Sequence, residues 1–285
     1  MTLHRTSLAA HAFVIGLVSV MSACSDPTSS LAVDYAHIRI VNGLMRAGTG
    51  TATPVAIDYL IDSSTALPGI ANLGALGIST ADSANGFRDI SGGVHTFLAR
   101  VAGDTSALGN VYTTSTNLPY LPHQRLVGSL YYTAVVTGVL PATGTIANNT
   151  VRFQLGVDDP FPGYSLNGAF QARFNVVNAA PYTNAAGTGA NISVYVYGGT
   201  TLPPGAITTY LSKGTASYAS QSAYFDVTTG ASVVTLVAGG NIIYQQVFTF
   251  NPGEVWTFVV QSTGSGAPSA TNHRVTPILD QSYAP

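Results

Sequence analysis

Charge is what this chain of 285 residues has least of. Ten Lys plus Arg stand against 12 Asp plus Glu, so 8 % of side chains carry a formal charge, where soluble domains carry about 25 %. The net charge of −2 and the scattering of the basic residues leave no electrostatic footprint for nucleic acid. Cys24 is the only cysteine, which rules out an intramolecular disulfide. Glu254 is the only glutamate and Trp256 the only tryptophan. A pair of glutamates flanking a glycosidic bond is therefore unavailable, and so is a platform of several tryptophans for sugar stacking. Amphipathic helices of normal length are missing too. The shortage of charge does not imply disorder, because 46 % of the residues are hydrophobic. Thr, Ser, Asn and 30 glycines supply the polarity instead.

The N-terminus carries an address. His4 and Arg5 precede an apolar run from Leu8 to Val20, and Met21-Ser22-Ala23-Cys24 follows. That order is the layout of a secretory signal peptide. The run is too short for a membrane span of about 20 apolar residues, and the polar stretch from Ser25 to Ser30 does not extend it. Ser22-Ala23-Cys24 resembles the lipobox of bacterial lipoproteins. The resemblance implies cleavage after residue 23, acylation of Cys24 and a flexible tether over 24–34. Several acyl chains, each methylene contributing about 0.8 kcal/mol, hold a protein at a membrane where one chain would not. By the same resemblance, Ser25 after the cysteine favours the outer membrane.

The remainder is a duplication. Ala36-His37-Ile38-Arg39-Ile40-Val41-Asn42 matches Ala172-Arg173-Phe174-Asn175-Val176-Val177-Asn178. Ala47-Gly48-Thr49-Gly50 matches Ala186-Gly187-Thr188-Gly189, and Phe87-Arg88-Asp89-Ile90 matches Tyr224-Phe225-Asp226-Val227. Tyr132-Thr133-Ala134-Val135-Val136 matches Trp256-Thr257-Phe258-Val259-Val260, and the pair Arg152 and Asp158 matches Arg274 and Asp280. The offset stays between 135 and 139 residues up to Gly93, then falls to 124 at Thr133. Copy one therefore holds about a dozen extra residues between Val101 and Tyr131, and insertions of that kind sit in loops.

Short runs of β-branched and aromatic residues separated by Gly, Pro, Asn and Ser clusters predict strands. Several such runs per copy predict an all-β chain of two tandem antiparallel β-sandwiches. The copies span 35–159 and 171–285, joined by a linker at 160–170. The best helical candidate, Leu67 to Leu76, is weakened by Gly69 and Gly74 to at most a helical turn. The Val-Asn strand ends, Ala179-Ala180-Pro181, the aromatic-x-Asp turn and Asp158-Asp159 together resemble the bacterial domain of unknown function 4397. That resemblance covers about residues 35 to 285 and implies an extracytoplasmic immunoglobulin-like module, often in tandem on lipoproteins, with no activity attached.

Chemistry is sparse. No Gly-x-Ser-x-Gly elbow exists, and His37, His95, His123 and His273 lack partners at metal-ligand spacing. No catalytic residue, metal or cofactor is assigned. His37 and His95 lie in predicted strands with their rings expected on the solvent side. Asp158 and Asp159 are expected in an interdomain turn, and Asp89 and Asp226 are expected to bond turn amides. The copy-one loop, 102–130, supplies the candidate ligand-binding residues Tyr112, Tyr120, His123 and Arg125, suited to a glycan or protein partner. The expected protein is thus a non-catalytic envelope lipoprotein, membrane-bound through Cys24, whose modules serve binding, adhesion or envelope assembly. The alternatives are an envelope carbohydrate-active enzyme with its site in loop 102–130, or a structural spacer.

Overall fold

A computed structural model describes residues 34–66, 69–79, 86–103, 120–142, 151–158, 171–183, 189–201, 207 and 212–282. Tyr35 to Pro285 forms one compact unit. Copy one contains β1 (Tyr35–Arg46), β2 (Thr53–Pro54), β3 (Ile57–Ile61), β4 (Ile70–Leu73), β5 (Arg88–Ser91), β6 (Gly93–Val101), β7 (Tyr120–Leu126), β8 (Tyr131–Leu140) and β9 (Val151–Asp158). Copy two contains β10 (Gln171–Asn178), β11 (Ile192–Gly198), β12 (Ser212–Ala216), β13 (Ser220–Gln221), β14 (Phe225–Thr228), β15 (Gly230–Ala238), β16 (Asn241–Phe250), β17 (Glu254–Ser262) and β18 (His273–Ser282).

The duplication is visible in the topology. One sheet of copy one runs β2-β1-β8-β9 with β5 also on β1, and the other runs β4-β3-β6-β7. Copy two repeats this as β13-β10-β17-β18 with β14 on β10, and β12-β11-β15-β16. Both copies are sandwiches, as the strand pattern predicts, with one departure from a purely antiparallel build. The opening strand of each lies parallel to a late one, β1 along β8 and β10 along β17. Parallel neighbours need a long crossover, and here the whole opposite sheet supplies it. The expected helical turn at Leu67 to Leu76 is corrected: Ile70–Leu73 is strand β4, and Asn72 and Leu76 take positive φ on either side of its end.

The repeated Val-Asn ending has a definite task. Asn42 donates through Nδ2 to the carbonyls of Val55 and Gly74 and accepts from the Leu44 amide. Asn178 does the same with Ala190, Ala216 and Ala180. Each buried amide satisfies backbone groups of connecting segments that would otherwise be orphaned inside the protein. Copy two closes β15 to β16 through Gly239-Gly240, both at positive φ, as a tight hairpin turn demands. In copy one the equivalent connection between β6 and β7 spans 102–119. The extra residues thus belong to one hairpin connection.

Each copy has its own core. In copy one Ile38, Ile40 and Leu44 meet Tyr59, Phe97, Tyr132, Val136 and Phe153. In copy two Phe174 and Val176 meet Val194, Val234, Leu236, Phe250 and Phe258. The opposite faces of β1, β8, β10 and β17 would be solvated in an isolated sandwich. Here they are buried as well, around Val41, Val135, Val177, Ala179 and Val259. The two copies pack outer face to outer face through equivalent strands.

Candidate functional site

The centre of this joint is polar. Arg39, in mid-strand on β1, is flanked by the core residues Ile38 and Ile40, so alternation turns it to the opposite face. Its side chain is fully buried, as are those of its two ion-pair partners. Nη2 donates to Asp158 Oδ2 at 2.7 Å and Nη1 to Asp280 Oδ1 at 2.5 Å. Nε and Nη2 also donate to Thr133 Oγ1, each at 3.3 Å, and Nη2 donates to Thr257 Oγ1 at 3.1 Å. The guanidinium lies 4.5 Å from the centroid of the Phe87 ring.

Both copies contribute to this cluster, one residue for each equivalent position. Asp158 and Asp280 are repeat partners, as are Thr133 and Thr257, but Arg39 is matched by Asn175. A second guanidinium would have to occupy the volume that the first already fills. Asn175 is fully buried, and its Oδ1 accepts from Thr257 Oγ1 at 2.7 Å. The Tyr224 hydroxyl donates to Asp158 Oδ1 across the joint. Burial, then the two nearby carboxylates, pushes that phenol well above its ordinary value, so it remains a donor. Burial opposes the charge on Arg39, while Asp280 and Asp158 more than restore it. Burial raises the Asp280 carboxyl to about 6 against the pull of Arg39.

Contacts around this centre hold the faces together. Gln261 Nε2 donates to the Asn42 carbonyl at 2.6 Å, and Thr137 Oγ1 to the Ala179 carbonyl at 2.8 Å. Gly43 approaches Ala179 so closely that an added Cβ would stand 2.0 Å from its carbonyl oxygen. At one margin Arg152 lies over the Tyr218 ring, and Gln221 Nε2 donates to the Val157 carbonyl.

Several expectations are corrected. Asp158 is not in a turn: it ends β9, buried, within the Arg39 cluster. Asp159 lies outside the described residues. Asp89 and Asp226 bond side chains across β-ladders, not turn amides. Asp89 accepts from His37 Nδ1 at 2.7 Å, and Asp226 pairs with Arg173 at 2.9 Å. His37 stacks on Tyr131, with centroids 4.4 Å apart. His95 is buried, not solvent-facing, with Nδ1 2.7 Å from Asp62 Oδ2 and Nε2 2.8 Å from the Ser91 carbonyl. Burial would raise the Asp62 carboxyl, but the Thr96 amide and His95 hold it below the ordinary range. Glu254 accepts from the Asn251 amide, Asn251 Nδ2 and Trp256 Nε1, which makes it a turn brace.

Three of the four candidate ligand-binding residues lie on a strand instead of in a loop. Tyr120, His123 and Arg125 lie on β7, hydrogen-bonded to β6 with Leu98 opposite Tyr120 and Val94 opposite Arg125. Arg125 is exposed. Tyr112 and Cys24 lie outside the described residues. Among the described residues no group of three or more His, Cys, Asp or Glu side chains could hold a metal ion. The joint was missed in the sequence although signals for it exist: one arginine inside an apolar strand and two aspartates at equivalent strand ends.

No family profile matches the chain, and no curated protein matches it. Among solved structures, the TIE protein of Bacillus anthracis aligns at 12 % identity and TM-score 0.22 over 80 % of this chain. This chain spans 34 % of the length of that protein. A Bacteroides ovatus protein named for cell adhesion aligns at 10 % identity and TM-score 0.24, covering 88 % of this chain and 99 % of its own. One from Bacteroides eggerthii, named likewise, aligns at 13 % identity and TM-score 0.25, covering 87 % and 96 %. At these scores the similarities carry no functional assignment.

Proposed function

We propose that this chain is a non-catalytic lipoprotein of the bacterial cell envelope, anchored through Cys24, whose two sandwiches act as one rigid module for binding, adhesion or envelope assembly. In this reading the modules are of the kind called domain of unknown function 4397, and the chain stands on the outer membrane. The observation that supports it most is the buried joint around Arg39. A spacer of independent beads would need only a linker, whereas this chain buries an ion cluster and a set of valines to fix one module against the other. Fixing them keeps the outer sheets and hairpin ends at a constant geometry, which lowers the ordering cost of engaging a glycan or protein partner.

Two measurements test this proposal. Metabolic labelling with a fatty-acid analogue should mark the wild-type chain and leave Cys24→Ser unlabelled; an unlabelled, freely released wild type would remove the anchor. Saturable binding of residues 25–285 to envelope glycans or surface proteins, without turnover of the ligand, is the expected outcome of a ligand screen. Turnover of a glycan would replace this reading with the carbohydrate-active enzyme, and a chain that binds nothing would be a spacer.

A further inference from the structure

Thr257 Oγ1 stands at an impasse that a single proton resolves. It lies 2.7 Å from Asn175 Oδ1 and 2.5 Å from Asp280 Oδ2, both oxygens, and has one hydrogen to share. The Arg39 Nη2 bond to the same oxygen is a donor contact and does not relieve the conflict. Two arrangements satisfy the row. In one, Asp280 carries a proton on Oδ2 and donates to Thr257, which donates to Asn175 Oδ1. In the other, Asp280 is ionised and accepts from Thr257, while the Asn175 amide is turned so that Nδ2 donates to Thr257. Asn175 Nδ2 has no partner among the described residues, so turning the amide breaks no bond that it makes with them.

We propose that Asn175, Thr257 and Asp280 form a proton-driven relay at the joint, in which protonation of Asp280 reverses the direction of both hydrogen bonds and strengthens the packing of the two sandwiches. The groups facing Asp280 set the balance. Arg39 comes from β1, Asp158 from β9 and Tyr224 from the segment before β14. The strands β8, β10 and β17 present Thr133, Asn175 and Thr257, none of which titrates in this range. Among the described residues one guanidinium thus faces two carboxylates in a fully buried site, and a proton on Asp280 balances their charge. Burial moves the Asp280 carboxyl up to about 6, against the attraction of Arg39 and with the repulsion of Asp158 added. A carboxyl raised from 3.8 contributes stability fully present below its unfolded value, and that contribution fades as pH rises through about 6.

The test is carbon and nitrogen NMR of the labelled full chain through a pH titration. The Asp280 carboxyl carbon and the Asn175 side-chain amide should shift together, with one midpoint near 6. Thr257→Val keeps the shape and removes the hydroxyl; it should leave Asp280 titrating and the Asn175 amide unresponsive. An Asn175 amide that ignores the Asp280 titration in the wild type, or an Asp280 that titrates in the ordinary aspartate range, overturns the relay. For the packing, Asp280→Asn is a permanent stand-in for the protonated acid. The wild type should lose denaturation midpoint relative to this variant as pH rises through about 6. A constant difference across that range overturns the coupling to stability.

Discussion

Tyr59 carries a polar atom that bonds to none of the described residues. The ring is fully buried on β3, 5.5 Å from Phe153 edge-on and 6.2 Å from Phe97, and its hydroxyl has no partner among the described residues. Burial alone lifts that phenol well above its ordinary value. Since an unsatisfied buried donor costs about 1–3 kcal/mol, Tyr59→Phe should keep the denaturation midpoint or raise it; a loss of midpoint would mean that the hydroxyl has a partner. His273 offers the opposite lesson. Burial holds its imidazole below the usual 6.5, with Nδ1 facing the Ser269 carbonyl at 3.1 Å and Asn272 Oδ1 at 2.7 Å. A base with a depressed folded value stabilises above its unfolded value and loses that contribution as pH falls towards the folded one. His273→Gln should therefore narrow the fall in melting temperature between about pH 7 and pH 5. An unchanged fall would exclude His273 as its source. At this scale the sequence identified which residues are rare but not what they touch: Asp89 and Asp226 were visible as repeat partners, while their cross-strand partners depend on register.

Strand β1 explains why the sandwiches were legible and their joint was not. Ala36, Ile38, Ile40 and Leu44 face the core, an alternation that marks a strand in any reading of the sequence. The intervening Arg39, Val41 and Gly43 look like an ordinary solvent face, since a single arginine with one valine and a glycine suits water. Only the three-dimensional structure shows that copy two covers them. The repeat made the equivalence of β1 with β10 and of β8 with β17 readable, but no local pattern states that equivalent faces meet. Strand β7 eluded the sequence for another reason: the long β6–β7 connection and Pro122 blur the alternation of Tyr120–Leu126. Gly43 tests the meeting of faces directly. Its Cβ position is 2.0 Å from the Ala179 carbonyl oxygen, which also accepts from Thr137. Gly43→Ala should lower stability by about 1–3 kcal/mol, the usual cost of overpacking. Gly50→Ala, where nothing stands near the added carbon but φ is +93, separates backbone strain from collision. If both cost the same in urea titrations, the close approach at Gly43 is not what matters.

For the molecule as a unit, the question is whether the Arg39 cluster stabilises the joint or merely specifies it. Buried ion pairs recover their desolvation cost only with good geometry, and an apolar replacement of the whole set is often neutral. Removing one member is different, because the others remain buried without their counter-charge. Arg39→Met strips both Asp158 and Asp280 of their guanidinium and should cost about 3–5 kcal/mol in the denaturation of the joined sandwiches. Adding Asp158→Asn and Asp280→Asn to that variant removes the orphaned charges and should return most of the loss. The surrounding valines and the Gln261 and Thr137 bonds would still align the faces. If the triple variant stays as weak as Arg39→Met, the ion cluster itself supplies the stability. If it recovers while hydrogen exchange at the Ala179 amide, bonded to the Val260 carbonyl, becomes faster, the charges act on how uniquely the faces are seated. That second outcome is the expected one. A chain that retains so few charges gains more from placing them where they forbid sliding than from adding to an apolar contact that already exists.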